Sequence, residues 1–154
     1  MDEALGALLA EYADGPRRLR EALQTLAPNR RDVRPGPGRW SAREVALHLC
    51  DSEVVTVFRM KRALGEPGAA VPAFNQDGWI QAAGAAADLE LWLGAFAALR
   101  LAMADLVRHL PAEAWERSVA HEVAGPRTVR QLLEGAVAHT RHHLEQIRAA
   151  GDSA

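Results

Sequence analysis

The stretch TVRQLLEGAVAHTRHHLEQI, Thr128–Ile147, combines a helix start, an apolar stripe and three histidines. Thr128 followed by Gln131 is the Ser/Thr-x-x-Glu/Gln pattern, in which two side chains satisfy the first free backbone N–H groups of a helix. From there Val129, Leu132, Leu133, Ala136, Val137, Leu144 and Ile147 recur at the three- and four-residue intervals of one helical face. Gly151 predicts the stop. Each helical residue advances about 100°. His143 therefore falls near the middle of the apolar face, His139 at its edge, and His142 toward solvent beside Arg141.

The rest of the chain supplies partners for that face. Ser41 and Glu44 form a second capping box, with Trp40 placed to pack on Val45. That helix should reach about Leu64, before Gly65 and Pro67. A first helix is expected from about Glu3 to Leu26, kinked or split at Asp14-Gly15-Pro16. Another is expected from Asp88, its cap, to Pro111. Residues 27–40, with three prolines and two glycines, read as a linker. Residues 66–87 read as a loop with at most one short helical turn, anchored by a buried Phe74 and Trp79. Residues 111–127 form a second long connection carrying Trp115 and His121; RSVAHEVAG there could be extended, but amounts to no sheet. The expected fold is an all-α four-helix bundle, one domain over residues 1–154, with long connections between helices 2 and 3 and between helices 3 and 4. Such connections can cross the bundle end, so up-down-up-down order does not follow.

Composition narrows the function. The 154 residues are 49% hydrophobic and 25% charged, with a net charge of −2. No overall field favours nucleic acid or an anionic membrane. The arginines between Arg17 and Arg39 read as a solvated face or, failing that, a patch for an anion or partner. No signal peptide and no membrane-spanning run is visible. Cys50 is the single cysteine, so no intramolecular disulfide is expected and the reducing cytoplasm is the expected location.

His139 and His143 share one helix face at i, i+4, a spacing that chelates divalent metals but also arises in ordinary cores. A third histidine changes the balance. His48 lies in a stripe with Glu44, Asp51 and Val55 and can face inward from the second helix. Three buried neutral imidazoles with nothing to bind would be costly, and a metal would relieve that cost. Three histidines also leave coordination positions open, the catalytic pattern. Asp51 is a candidate to orient an imidazole by accepting its other N–H; Glu44 is already explained by its cap. Arg59, Arg100 and His121 are candidates to line a pocket, with a solvated side chain the ordinary reading of both arginines. Cys50 reads as a packing residue and His109 as a partner of its helix C-terminus.

The runs GRWSAREVALHLCDSE, FRMKRAL and TVRQLLEGAVAHTRHHLEQI resemble the DinB/YfiT-like superfamily of metalloenzymes, from roughly Leu5 to Ala150. The resemblance implies a four-helix bundle holding a divalent metal, often zinc or nickel, through three histidines. Carried over, these are His48, His139 and His143, the residues that the helical faces also turn inward. It further implies thiol-dependent S-transfer or isomerisation in some members, with a low-molecular-weight thiol such as bacillithiol or mycothiol, and it does not imply contact with DNA. Two readings stay open. One is a metal-dependent transferase or hydrolase acting on a small molecule, with zinc, nickel or iron as the metal. The other is a non-catalytic metal-binding or stress-response protein working as a homodimer. An open cleft at the histidines would favour the first; a closed site with Asp51 as fourth ligand would favour the second.

Overall fold

The computed structural model describes residues 3–152. Its helices are α1 (Glu3–Gln24), α2 (Ala42–Gly65), α3 (Gln76–Ala83), α4 (Leu89–Arg108) and α5 (Val129–Asp152). Its strands are β1 (Ala70–Val71), β2 (Ser118–His121) and β3 (Gly125–Thr128). The four long helices are the expected bundle. Both capping boxes form. The Ser41 Oγ accepts the Glu44 N–H at 3.2 Å, while the Glu44 carboxylate accepts the Ser41 N–H at 2.8 Å. Thr128 and Gln131 do the same at 3.2 and 3.1 Å. The stop expected at Gly151 does not operate, since α5 runs on to Asp152.

α2 and α1 each pack against both α4 and α5, and lie diagonally across the bundle from one another. The core falls into two layers. Leu5 and Leu9 of α1 meet Met60, Met103 and Leu133 in one; Leu19 and Leu23 meet Val45, Phe96 and Leu144 in the other. The chain order within the layers makes α1 antiparallel to α2 and the neighbours α2 and α4 parallel. A parallel pair cannot be joined by a tight turn, so residues 66–88 run back along the length of the bundle, with α3 packed against α2.

The largest fully buried side chain among the described residues sits between the layers. Arg100 is 2% exposed, a correction to its reading as a solvated arginine. Its Nε donates to Glu53 Oε2 at 2.8 Å, and Glu53, 1% exposed, also accepts the Tyr12 hydroxyl. Its Nη2 donates to Thr140 Oγ1 at 2.8 Å. Nη1 donates to the Tyr12 carbonyl at 3.0 Å. That carbonyl is free because Pro16, four residues on, has no N–H to offer it. α1 therefore stays continuous through Pro16 instead of splitting, with a side chain from α4 replacing the missing donor. Gly15 gives the guanidinium room, since a Cβ there would collide with Arg100 Nη1.

The connections hold more than expected. A short α3 follows its Asn75 cap. β2 pairs antiparallel with β3 and parallel with β1, Ala70 opposite Ala120, which makes a three-stranded sheet where none was expected. Gly125, with φ of 70°, takes the left-handed conformation that β-branched or bulky residues avoid. Trp79, expected as a buried anchor, is 42% exposed, its ring packed on Phe74 at 5.0 Å. No helix among the described residues is long and apolar enough to cross a membrane.

Candidate metal centre and its pocket

α2 and α5 run side by side, and their histidines meet. One potential ligand atom from each of His48, His139 and His143 lies within 4.8 Å of the other two. His48 Nε2 is 3.0 Å from His139 Nε2, which is 2.9 Å from His143 Nε2. His48 is 2% and His143 7% exposed; His139 is half-buried, and His142 is exposed as expected. Burial, reinforced by repulsion from the neighbouring imidazoles, pushes His48 down to about 3. The same causes push His139 down to about 4, and burial lowers His143. All three are thus neutral near pH 7, the state in which an imidazole offers a lone pair to a metal.

Two observations fit a divalent cation. His139 Nε2 has a single lone pair or a single proton, so it cannot make good hydrogen bonds with both neighbours at once. One cation can accept all three lone pairs. Ligand atoms each about 2.0–2.1 Å from a common zinc-like ion also stand roughly 3 Å apart, as His139 Nε2 does from each of its two neighbours. His143 is oriented by Gln146, whose Oε1 lies 2.8 Å from Nδ1. A proton on Nδ1 donated to Gln146 leaves the Nε2 lone pair facing the cluster.

Asp51, the carboxylate expected to orient an imidazole, does not face the cluster. It lines a separate cleft with Trp79 and Trp92, and burial raises its pKa. The reason is angular: position i+3 lies about 60° to one side of His48, whereas i+4 lies about 40° to the other. Ser52 therefore borders the histidines, its Oγ 3.5 Å from His48 Nε2. Gln146 and Ser52 were both missed, although each stands one helical turn from a histidine. Cys50 is buried, and burial pushes its thiol up to about 12, consistent with a packing residue. His109 is exposed, its Nδ1 2.8 Å from the Asp105 carbonyl at the end of α4.

A cavity of about 310 Å³ opens beside His48 and His139. α2 contributes Ser52, Thr56 and Arg59 to its wall, and α5 contributes Gln131 and Gly135. The β2–β3 hairpin adds His121 and Arg127, and Phe74 closes the side nearest His48, its ring stacked at 6.4 Å from the imidazole. Of the three residues considered for this wall, Arg59 and His121 are there and Arg100 is not.

Comparison with known proteins places this architecture. The sequence matches the model of the DinB superfamily over residues 11–147. A protein of Oceanobacillus iheyensis, provisionally named a metal-dependent hydrolase, is 26% identical over 137 residues, 89% of this chain and 80% of its own. A Bacillus cereus protein of the same provisional name is 23% identical over 146 residues, 95% of this chain and 84% of its own. Bacillus subtilis YfiT is provisionally described as a metal-dependent hydrolase with an unusual four-helix bundle topology. It superposes with a TM-score of 0.91 at 22% identity, covering 99% of this chain and 89% of its own. The Bacillus subtilis DinB-like protein YjoA reaches 0.66 at 15% identity, with 96% and 90% covered. The structural likenesses establish a shared fold, and the match over residues 11–147 spans most of the sequence: the chain belongs to the DinB superfamily.

Proposed function

We propose that this protein is a metal-dependent hydrolase of a small molecule, with His48, His139 and His143 holding one divalent cation at the inner end of the cavity. The observation that carries the reading is the convergence of three neutral imidazoles, two of which, His48 and His139, line an open pocket. A divalent cation, when bound there, supplies Lewis acidity that makes a water or a thiol beside it a better nucleophile near neutral pH.

The chain's own residues set the conditions for that chemistry. Burial keeps the imidazoles unprotonated, and Gln146 holds the His143 ring in one orientation. Three ligands leave coordination positions for nucleophile and substrate. No carboxylate lines the cavity among the described residues, so nothing there offsets the cation's charge. Asp51 faces another cleft, which disfavours a closed four-ligand site. Zinc and nickel suit three imidazoles, with iron a further choice. A low-molecular-weight thiol in place of water would turn hydrolysis into S-transfer at the same position.

The test is elemental mass spectrometry on protein purified without an affinity tag, beside the H48A/H139A/H143A variant. It is followed by ester and amide substrates assayed with and without added thiol. About one divalent metal per chain, absent from the folded variant, is expected together with metal-dependent turnover. No uptake of zinc or nickel would overturn the reading, and turnover only with thiol would replace hydrolysis by transfer.

A further inference from the structure

The far wall of the same cavity carries more positive than negative charge and no ion pair. Arg59 and Arg127 both line it, no aspartate or glutamate does, and neither guanidinium forms an ion pair among the described residues. Arg59 is half-buried; one of its N–H groups donates to the Pro72 carbonyl at 2.7 Å, and its Nε is buried with no acceptor. Glu122 lies near enough to act on Arg59, leaving a net charge of about one positive unit among these three groups. His121 adds a directed donor. Its Nδ1 accepts the N–H groups of Val123 and Ala124 at 3.2 and 3.1 Å, so a neutral ring must carry its proton on Nε2. Burial and the two arginines keep that ring neutral. The wall between this end and the histidines is partly apolar: Phe74, Leu132 and Ala136.

We propose that Arg59, Arg127 and His121 form the anion subsite of this pocket, and that the substrate is an elongated monocarboxylate with an apolar body. A half-buried guanidinium with a buried N–H unsatisfied and no ion-pair contact is costly, and a bound carboxylate relieves that cost while offering the bidentate geometry guanidinium prefers. One net positive charge matches one carboxylate. His48 and Arg59 are eleven residues apart, about 16 Å along α2. A carboxylate held at the arginine end therefore sends the rest of the molecule past Phe74 toward the imidazoles. The inference rests on the reading of the histidine cluster as the reacting centre.

The experiment is calorimetric titration of chelator-treated, metal-free protein with 4-phenylbutyrate and with its neutral analogue 4-phenylbutanamide. It is repeated on R59Q/R127Q, on R59K/R127K and on the exposed-site control R30Q. Without metal, any preference for the acid arises from the protein alone. The wild type and R30Q should bind the acid at least about tenfold more tightly than the amide, a preference that weakens as salt rises. R59Q/R127Q should lose that preference, and R59K/R127K should retain part of it. Equal binding of acid and amide by the wild type, or an unchanged preference in R59Q/R127Q, would overturn the proposal. The two readings fail separately: metal uptake without acid preference sinks the subsite alone, and acid preference without metal uptake sinks the metal centre alone.

Discussion

Arg100→Met tests the polar layer between the two halves of the core. The substitution keeps a long apolar stem but removes the donors to Glu53, Thr140 and the Tyr12 carbonyl, and the guanidinium stacked 4.4 Å from the Tyr12 ring centre. Glu53, 1% exposed, keeps only the Tyr12 hydroxyl. Stranding one partner of a buried ion pair costs about 3–5 kcal/mol. Against the roughly 5–15 kcal/mol that stabilises a typical domain, this is a large share. At about 2–4 °C per kcal/mol for a chain of this size, Tm should fall by roughly 6–20 °C. Urea unfolding followed by far-UV circular dichroism and by tryptophan fluorescence gives both the free energy and a check on two-state behaviour. The double variant E53M/R100M has no stranded carboxylate and should recover much of the loss. It should remain about 1–3 kcal/mol below wild type because the Tyr12 carbonyl still lacks a donor and the buried Tyr12 hydroxyl has lost its acceptor. A loss under about 1 kcal/mol in R100M, or a double variant no more stable than R100M, would refute the reasoning.

Gly15→Ala should destabilise the protein, because the added methyl meets Arg100, even though alanine is worth up to about 1 kcal/mol over glycine in a helix. In the R100M background the same change should stabilise, and urea midpoints decide both. Gly135→Ala has open space around its Cβ and should gain up to about 1 kcal/mol, while Gly135→Leu should leave the melting temperature near wild type and abolish 4-phenylbutyrate binding by filling the cavity. The metal-free protein should weaken in mild acid. His48 and His139 titrate near 3 and 4 when folded and near 6.5 when unfolded, so below about pH 6.5 the unfolded chain binds more protons. Stability then falls by up to about 1.4 kcal/mol per pH unit for each histidine until the folded values are reached. Urea midpoints at pH 7.5, 6 and 5 should drop more steeply in wild type than in H48A/H139A, and parallel slopes would count against the buried neutral imidazoles.

α2 and α5 were legible because each announces its start with a capping box and keeps a helical apolar period, so angular arithmetic alone turned His48, His139 and His143 inward. Asp51 shows the limit of that arithmetic: a stripe on a helical wheel is wide enough to border two clefts, and only the packing of α3 decides which one i+3 faces. The sheet was illegible because β1 has two residues and pairs with a strand fifty positions away, Ala70 with Ala120, so no local pattern marks it. Arg100 misled for a related reason. A charged residue in an apolar run is read as solvated unless its partners are known, and these come from three other helices. One of them is a backbone carbonyl freed by Pro16, an acceptor no residue-by-residue scale counts.

The separation of His48 from His139 by 91 residues bears on how the protein is made. As the chain leaves the ribosome, α2 emerges with a lone imidazole, too weak a ligand to retain an ion. The other two are added only when α5 has been synthesised and has packed against α2. On the metal-binding reading proposed above, loading therefore follows folding, and an ion offered during translation would find only part of its site.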